Sequence, residues 1–241
     1  MSDTFVSDSV AIILVKMAII SFQLNENLFL RDPQSSELGQ KIIHHSIRLL
    51  DKLGIEHFTF KKLADEIQST EASIYRYFEN KHRLLLYLID WYWTWLDYRL
   101  DFETHNVADA RERLKICLRI LSEENKYDPN IPFVDEQALQ RIAAAEFEKT
   151  YLTKQVDADN KEGLFLPYKS LCKKIAQVIK EINPDFPFPH LLTSTLMLAV
   201  KHQLYYAEHL PSLTDIKYNP KSQQTKLMEF LESLAFKTLA R

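Results

Sequence analysis

From Phe58 to Leu85 the apolar positions fall into short helical stripes separated by polar turns. Phe58, Leu63 and Ile67 form the first stripe, and Thr59 is placed to cap its helix. Gln68 and Ser69 make a turn. Thr70 then caps a second helix, expected over about Glu71 to Phe78. Ile74 and Phe78 supply its inner face, while Ser73, Tyr75, Arg76 and Tyr77 face outward and can donate to phosphates or base edges. Asn80 caps a third helix beginning at Lys81. A short helix that is polar outside, with its N-terminal amides free for an anion, is the layout of a helix-turn-helix whose second helix enters the DNA major groove.

Helical periodicity continues on both sides. Upstream, Ile43, Ile47 and Leu50 share a face, and Gly54 stands at a C′ position. Downstream, the helix from Lys81 to about Glu103 carries Leu84, Leu88, Trp91, Trp95 and Tyr98 on one stripe. Further helices are expected over about Ala108 to Glu124, Glu136 to Val156, Leu164 to Ile182, Leu191 to Leu210 and Ser222 to Leu239. Pro129 and Pro132 break the loop 127–136, and residues 157–163 read as a polar turn. Pro184, Pro187 and Pro189 stop the helix before them by removing backbone donors and α geometry. With three glycines in 241 residues, the chain reads as all-α.

The run FTFKKLADEIQSTEASIYRYFENKHRLL resembles the DNA-binding domain of the tetracycline-repressor family of bacterial transcription regulators. The family pattern is approximately F-T-x-x-x-I-A-x-x-A-G-V-S-x-x-x-L-Y-x-Y-F-x-x-K-x-x-L-L. Phe58, Thr59, Ala64, Tyr75, Tyr77, Phe78, Lys81, Leu84 and Leu85 match it, and Leu63, Thr70 and Ile74 match by type. Gln68 replaces the family's turn glycine and Ser69 its valine, so Gln68 either accepts a positive φ or the turn is built differently. The resemblance implies an arm over residues 1–34, a helix-turn-helix domain over 35–83, and a helical effector-binding and dimerisation domain over 84–241.

It also implies roles. Lys61 matches a position that reaches the groove; Glu71, Ala72, Ser73 and Arg76 lie where base edges are read; Tyr75, Tyr77 and Lys81 match phosphate-binding positions, beside the capping Thr70. The chemistry agrees, since a Tyr hydroxyl is a donor on a stiff arm and an Arg can fork onto guanine. Each has a plainer reading too: the Tyr77 ring packs on the helix from Lys81, Glu71 only complements a helix dipole, and Arg76 is a solvated charge.

Charge adds little. The chain carries a formal charge of −3, and Glu37 to Ile89 holds eight Lys/Arg against seven Asp/Glu, a weak basic footprint that calls for two copies to gather enough phosphate contacts. Cys117 and Cys172 sit in apolar stripes and read as free thiols of a cytoplasmic protein. His202 and His209 share a helix face and His44 adjoins His45, but no third ligand has suitable spacing, so no metal is expected. No Gly-rich phosphate loop, nucleophile elbow or paired-carboxylate motif occurs; neither enzymatic activity nor a cofactor is expected. Val10 to Ile20 is too short to span a bilayer and makes a poor signal peptide, leaving an extra packed element, a membrane-surface segment, or sequence upstream of a start at Met17. In that last case Asn25 to Ser35 is the arm, with Arg31 within reach of a phosphate or the minor groove.

The expected function is that of a sequence-specific DNA-binding regulator, a ligand-responsive repressor acting as a homodimer on a near-palindromic operator. The pocket for a hydrophobic effector is expected at Leu88, Trp91, Trp95, Tyr98, Cys117, Leu121 and Tyr168. The dimer surface is expected at Leu192, Leu196, Ala199, Gln203, Leu227, Phe230, Leu231 and Leu234, because a helix apolar on two sides needs two partners. The alternatives are a DNA-binding regulator without an effector, whose body would be filled near Trp91 and Trp95, and a helical adaptor for a foreign protein.

Overall fold

The computed structural model describes residues 21–124, 131, 133–217 and 223–240. Among these, the regular structure is helical throughout, in eleven α-helices: α1 (Glu37–His57), α2 (Phe60–Glu66), α3 (Glu71–Tyr75), α4 (Lys81–Thr104), α5 (Ala110–Ser122), α6 (Glu136–Ala145), α7 (Phe147–Tyr151), α8 (Val156–Lys161), α9 (Leu166–Ile182), α10 (Pro189–His209) and α11 (Gln223–Leu239). The all-α expectation holds. Val10 to Ile20 and Met17 lie outside the described residues, as do Pro129 and Pro132.

Capping sets the starts of the N-terminal helices. Ser36, Thr59, Thr70 and Asn80 each accept a backbone N–H from three residues ahead, at 2.9–3.2 Å. These caps divide a compact run of residues into α1 to α4 without a long loop. At the end of α1, Gly54 adopts φ +69°, and a Cβ there would meet the Glu146 carboxylate at 3.1 Å.

Helix α4 is the axis of the molecule. Every residue from Leu84 to Trp93 is buried, because α4 packs against α1, α5, α6, α7 and α9. Helix α9 in turn contacts α5 and α10, and α11 closes over α5 and α10. A helix covered all round has no single apolar stripe to read from sequence.

Three expectations are corrected. The helix expected over Glu136 to Val156 is α6 and α7 with a break at Glu146 and an irregular stretch from Leu152. Glu146 is buried, and its Oε1 accepts the Ile55 N–H at 2.9 Å while its Oε2 lies 3.3 Å from Lys149 Nζ. A tertiary contact thus sets the break where neither Gly nor Pro marks it. The polar turn expected at 157–163 is the helix α8, closed by Gly163 at φ +78°. Finally, Asn25 to Ser35 is no free arm. Phe22 meets Trp91 edge-on at 5.2 Å and Phe29 meets Tyr87 at 6.1 Å. Leu24 and Leu28 are buried, Leu30 N–H donates to the Tyr77 carbonyl at 2.8 Å, and Asn25 Nδ2 donates to the Glu162 carbonyl at 2.9 Å. The segment is strapped along α4 from the helical body to α3.

Candidate nucleic-acid interface

Helices α2 and α3 pack through Phe60, Leu63, Ala64 and Ile74, all buried, with Phe78 beneath them. The turn between them holds Gln68 at φ +53°. Gln68 therefore accepts the left-handed conformation that glycine would adopt with less strain. Helix α3 is regular only over Glu71–Tyr75, shorter than the stretch to Phe78 read from the sequence; Tyr77 and Phe78 follow as a turn whose N–H groups both donate to the Ile74 carbonyl.

On the outer surface, Lys61, Thr70, Glu71, Ala72, Tyr75 and Arg76 are exposed, and Ser73 is half-buried with its hydroxyl 2.9 Å from Thr70 Oγ1. Tyr75 is 49 % exposed, and its ring rests edge-on against Phe60 at 5.0 Å. This packing holds one side of the ring while about half of the residue stays open to solvent. The exposed set offers a guanidinium, an ammonium, a phenol and the amides opening α3, which together suit phosphates and base edges.

Two expected phosphate contacts stand elsewhere. Tyr77 is 2 % exposed, and its hydroxyl pairs with Ser36 Oγ at 2.8 Å, tying α3 to the start of α1. Its ring carries the Arg31 guanidinium at 5.3 Å, so Arg31 is held beside α3. The plainer reading of Tyr77 as a packing residue describes its placement, although its ring serves the junction with α1 and the strap as well as α4. Lys81 Nζ donates to the carbonyls of Ile55, Phe58 and Glu56 at 2.8, 3.2 and 3.3 Å. The ammonium satisfies the open end of α1 and is occupied there. For Tyr77→Phe we expect unchanged DNA affinity and salt dependence but a loss of about 1 kcal/mol in urea unfolding, since one buried hydrogen bond goes. A uniform drop in affinity with full stability would restore the phosphate role.

The expected effector-pocket residues do not gather round one cavity. Leu88, Trp91, Trp95, Cys117 and Leu121 are buried in the core, Tyr98 is exposed, and Tyr168 is half-buried against Trp93 and Tyr151. Among the described cavities, only Cys117 of this set lines one, a recess of about 450 Å³ between α4, α5 and α9. Another, of about 550 Å³, opens between α1, α6 and the end of α10, lined by Leu50, Asp51, Gly54, Arg141, Glu146 and Tyr205 among others. Periodicity could not foresee this, because Trp91 and Trp95 are covered by the strap and by neighbouring helices. The expected dimer residues divide likewise. Leu192, Leu196, Leu227 and Leu231 point into their own protomer's core, Ala199, Gln203 and Leu234 are half-buried, and Phe230 is exposed. Leu191, Tyr205 and Phe230 leave an apolar outer face on α10 and α11 instead.

Burial pushes the Cys117 thiol up to about 12 and raises that of Cys172, so both stay protonated at neutral pH. Among the described residues no three His, Cys, Asp or Glu side chains are grouped to hold a metal, and no helix is long and apolar enough to cross a membrane. One buried lysine was missed from the sequence, and its burial pushes the amine well below its ordinary range. Lys201 on α10 is 9 % exposed among the rings of Trp93, Phe147 and Tyr168.

The family model described as "Bacterial regulatory proteins, tetR family" matches residues 42–88, which spans α1 to the first turns of α4. No curated protein matches the chain in sequence. Among solved structures, AibR in complex with isovaleryl coenzyme A and operator DNA superposes with a TM-score of 0.57 at 14% identity, covering 80% of this chain and 96% of that one. The transcriptional regulator FadR from Bacillus subtilis in complex with stearoyl-CoA gives 0.57 at 15% identity, covering 80% and 97%. The ketosteroid transcriptional regulator KstR2 of Mycobacterium tuberculosis gives 0.55 at 15%, covering 82% and 92%. At these identities the likeness is one of fold, and it extends over both the N-terminal helices and the helical body.

Proposed function

We propose, from the premise that this chain carries a DNA-binding domain of the tetR family of bacterial regulatory proteins, that it is a ligand-responsive repressor binding a near-palindromic operator as a homodimer in the cytoplasm. The observation that carries the reading is the joint exposure of Lys61, Ala72, Tyr75 and Arg76 on the α2–α3 surface, held rigid by the Thr70 cap and the Phe60–Tyr75 contact. In this reading Arg76 reads a base edge, Tyr75 and Lys61 fix register on phosphates, and Glu71 and Ser73 adjust the fit at the mouth of α3. Arg31, stacked on Tyr77, serves the adjoining backbone. Residues 35–83 act as the DNA-binding domain and 84–241 as the effector and dimerisation domain.

The dimer surface is the outer face of α10 and α11. Leu191, Tyr205 and Phe230 are large apolar side chains left on it, and the half-buried Ala199, Gln203 and Leu234 adjoin them. Two copies joined there would present two α3 helices to successive major grooves. Selection of genomic fragments on the purified protein, with sedimentation of free and bound species, tests this. The expected result is one enriched near-palindrome bound by two protomers; fragments without sequence preference would overturn it. In the same assay Arg76→Ala should cost about 1–3 kcal/mol on the selected site and relax preference at one position per half-site, whereas Tyr75→Phe should weaken all sequences alike.

A second reading, a DNA-binding regulator without an effector, is favoured by one observation. The core around Trp91 and Trp95 is filled by side chains, with both rings nearly inaccessible. Retardation of the selected fragment in the presence of small-molecule fractions separates the two readings.

A further inference from the structure

Among the described residues Lys201 is the only buried lysine or arginine. Its Nζ lies 3.8 Å from the ring centre of Phe147, 4.4 Å from that of Trp93 and 5.5 Å from that of Tyr168. The rings come from α7, α4 and α9, so three helices have converged on one amine supplied by α10. It is sealed from solvent, and among the described residues no hydrogen-bond acceptor meets it. Ring faces compensate only part of a cation's lost hydration, so burial without an acceptor pushes the Lys201 amine well below its ordinary range until a counter-charge arrives.

The hydroxyls at this box have protons to donate, and the buried Asp90 carboxyl, three residues before Trp93 on α4, lies near enough to Tyr151 to act on it. Trp93 Nε1 donates to Tyr151 Oη at 2.7 Å, which leaves the Tyr151 hydroxyl proton free to be donated onward. Tyr151 and Tyr168 stand ring to ring at 5.2 Å, and the Tyr168 phenol stays protonated because burial pushes it up to about 12. Phe147, Tyr151 and Tyr168 are half-buried, so the box has an outward side between α7 and α9. A desolvated amine and two phenol hydroxyls, set together in aromatic walls, match a single ligand chemistry. A cationic ligand would find its seat already taken by Lys201. A neutral apolar one would leave the amine unsatisfied. An anion on an apolar stem would supply both the acceptor and the counter-charge.

Resting on the ligand-responsive reading above, we infer that Lys201, with Trp93, Phe147, Tyr151 and Tyr168, holds the carboxylate of the effector, which is therefore an aromatic or aliphatic organic acid. The Lys201 ammonium pairs with the carboxylate, the Tyr151 and Tyr168 hydroxyls donate to its second oxygen, and the stem lies along the rings. The site is wired to the DNA surface by construction. Trp93 sits on α4, whose cap Asn80 is joined to the end of α3 at Tyr75 by a short turn. Drawing α9 and α10 toward a bound acid displaces α4 and changes the spacing of the two α3 helices in a dimer.

The test uses the full chain and matched probes: benzoate, phenylacetate and octanoate, each beside its primary amide, followed by tryptophan fluorescence and by retardation of the selected DNA. At least one acid is expected to bind and release DNA, with its amide weaker by about tenfold or more. Lys201→Met, which keeps the apolar stem, should erase the difference between acid and amide. Equal binding of acid and amide, an unaltered preference in Lys201→Met, or no response to any of the acids would each overturn the inference. The wild-type comparison of acid with amide stands even if the variant fails to fold. DNA retardation without probes keeps the two claims apart. If it persists while the acids fail, the regulator reading survives; if it is absent, that reading fails on its own account.

Discussion

Replacing Asp90 with Asn is expected to flatten the dependence of stability on pH and to stabilise the protein by about 2–4 kcal/mol at pH 8. Asp90 lies in the middle of α4, is buried, and has an unpaired Oδ2. Desolvation raises its carboxyl to about 7. Tyr87 and Tyr151, which feel its charge, are themselves held neutral by burial. The sign follows from proton binding. Between the ordinary carboxylate range and about 7 the folded chain keeps a proton that the unfolded chain has released. This group's contribution is therefore most favourable below the unfolded value, declines as pH rises, and is fully lost above the folded value. Urea midpoints for wild type and Asp90→Asn from pH 4 to pH 8 measure it. Parallel curves for the two proteins would show that Asp90 is ionised in the fold.

Trp91→Ala is expected to cost about 3–5 kcal/mol, the range for truncating a buried large aromatic side chain. Trp91 is 1 % exposed, and Phe22 of the strap meets it edge-on. The variant should therefore lose stability and also loosen residues 21–36, so limited proteolysis there should quicken at denaturant concentrations where the body is intact. If Trp91 instead lined an effector cavity, truncation would enlarge open space at small cost. A loss below about 1 kcal/mol would favour that alternative.

The N-terminal unit was legible in the sequence because its signals are local. Thr59, Thr70 and Asn80 act within one helical turn, and Ile74 and Phe78 declare the inner face of α3 by spacing alone. Tyr77 was ambiguous for the same reason: a tyrosine beside Tyr75 in sequence can face duplex or core, and the decision lies with Ser36, on another helix. The sequence offers Lys81 to a phosphate because its actual acceptors are carbonyls, which every residue carries and which leave no mark in a sequence. The body was legible as helices but less so as a site. Glu146 breaks its helix through a contact with Ile55, 91 residues away in the chain. Lys201 carries no signal of its own in the sequence, being one polar residue after an apolar run. Its meaning depends on three rings from three other helices.

The strap gives the duplex-facing helices a second attachment. They join the body covalently through α4, and also through residues 21–36, which reach from the Glu162 carbonyl to the Tyr77 carbonyl and the Ser36–Tyr77 hydroxyl pair. A module on one stalk can swivel, while one moored at two points resists torsion and passes on translation. Strain in the body should thus arrive at the reading helix as a rigid displacement, and severing the mooring should leave a protein that still folds but answers its signal only faintly.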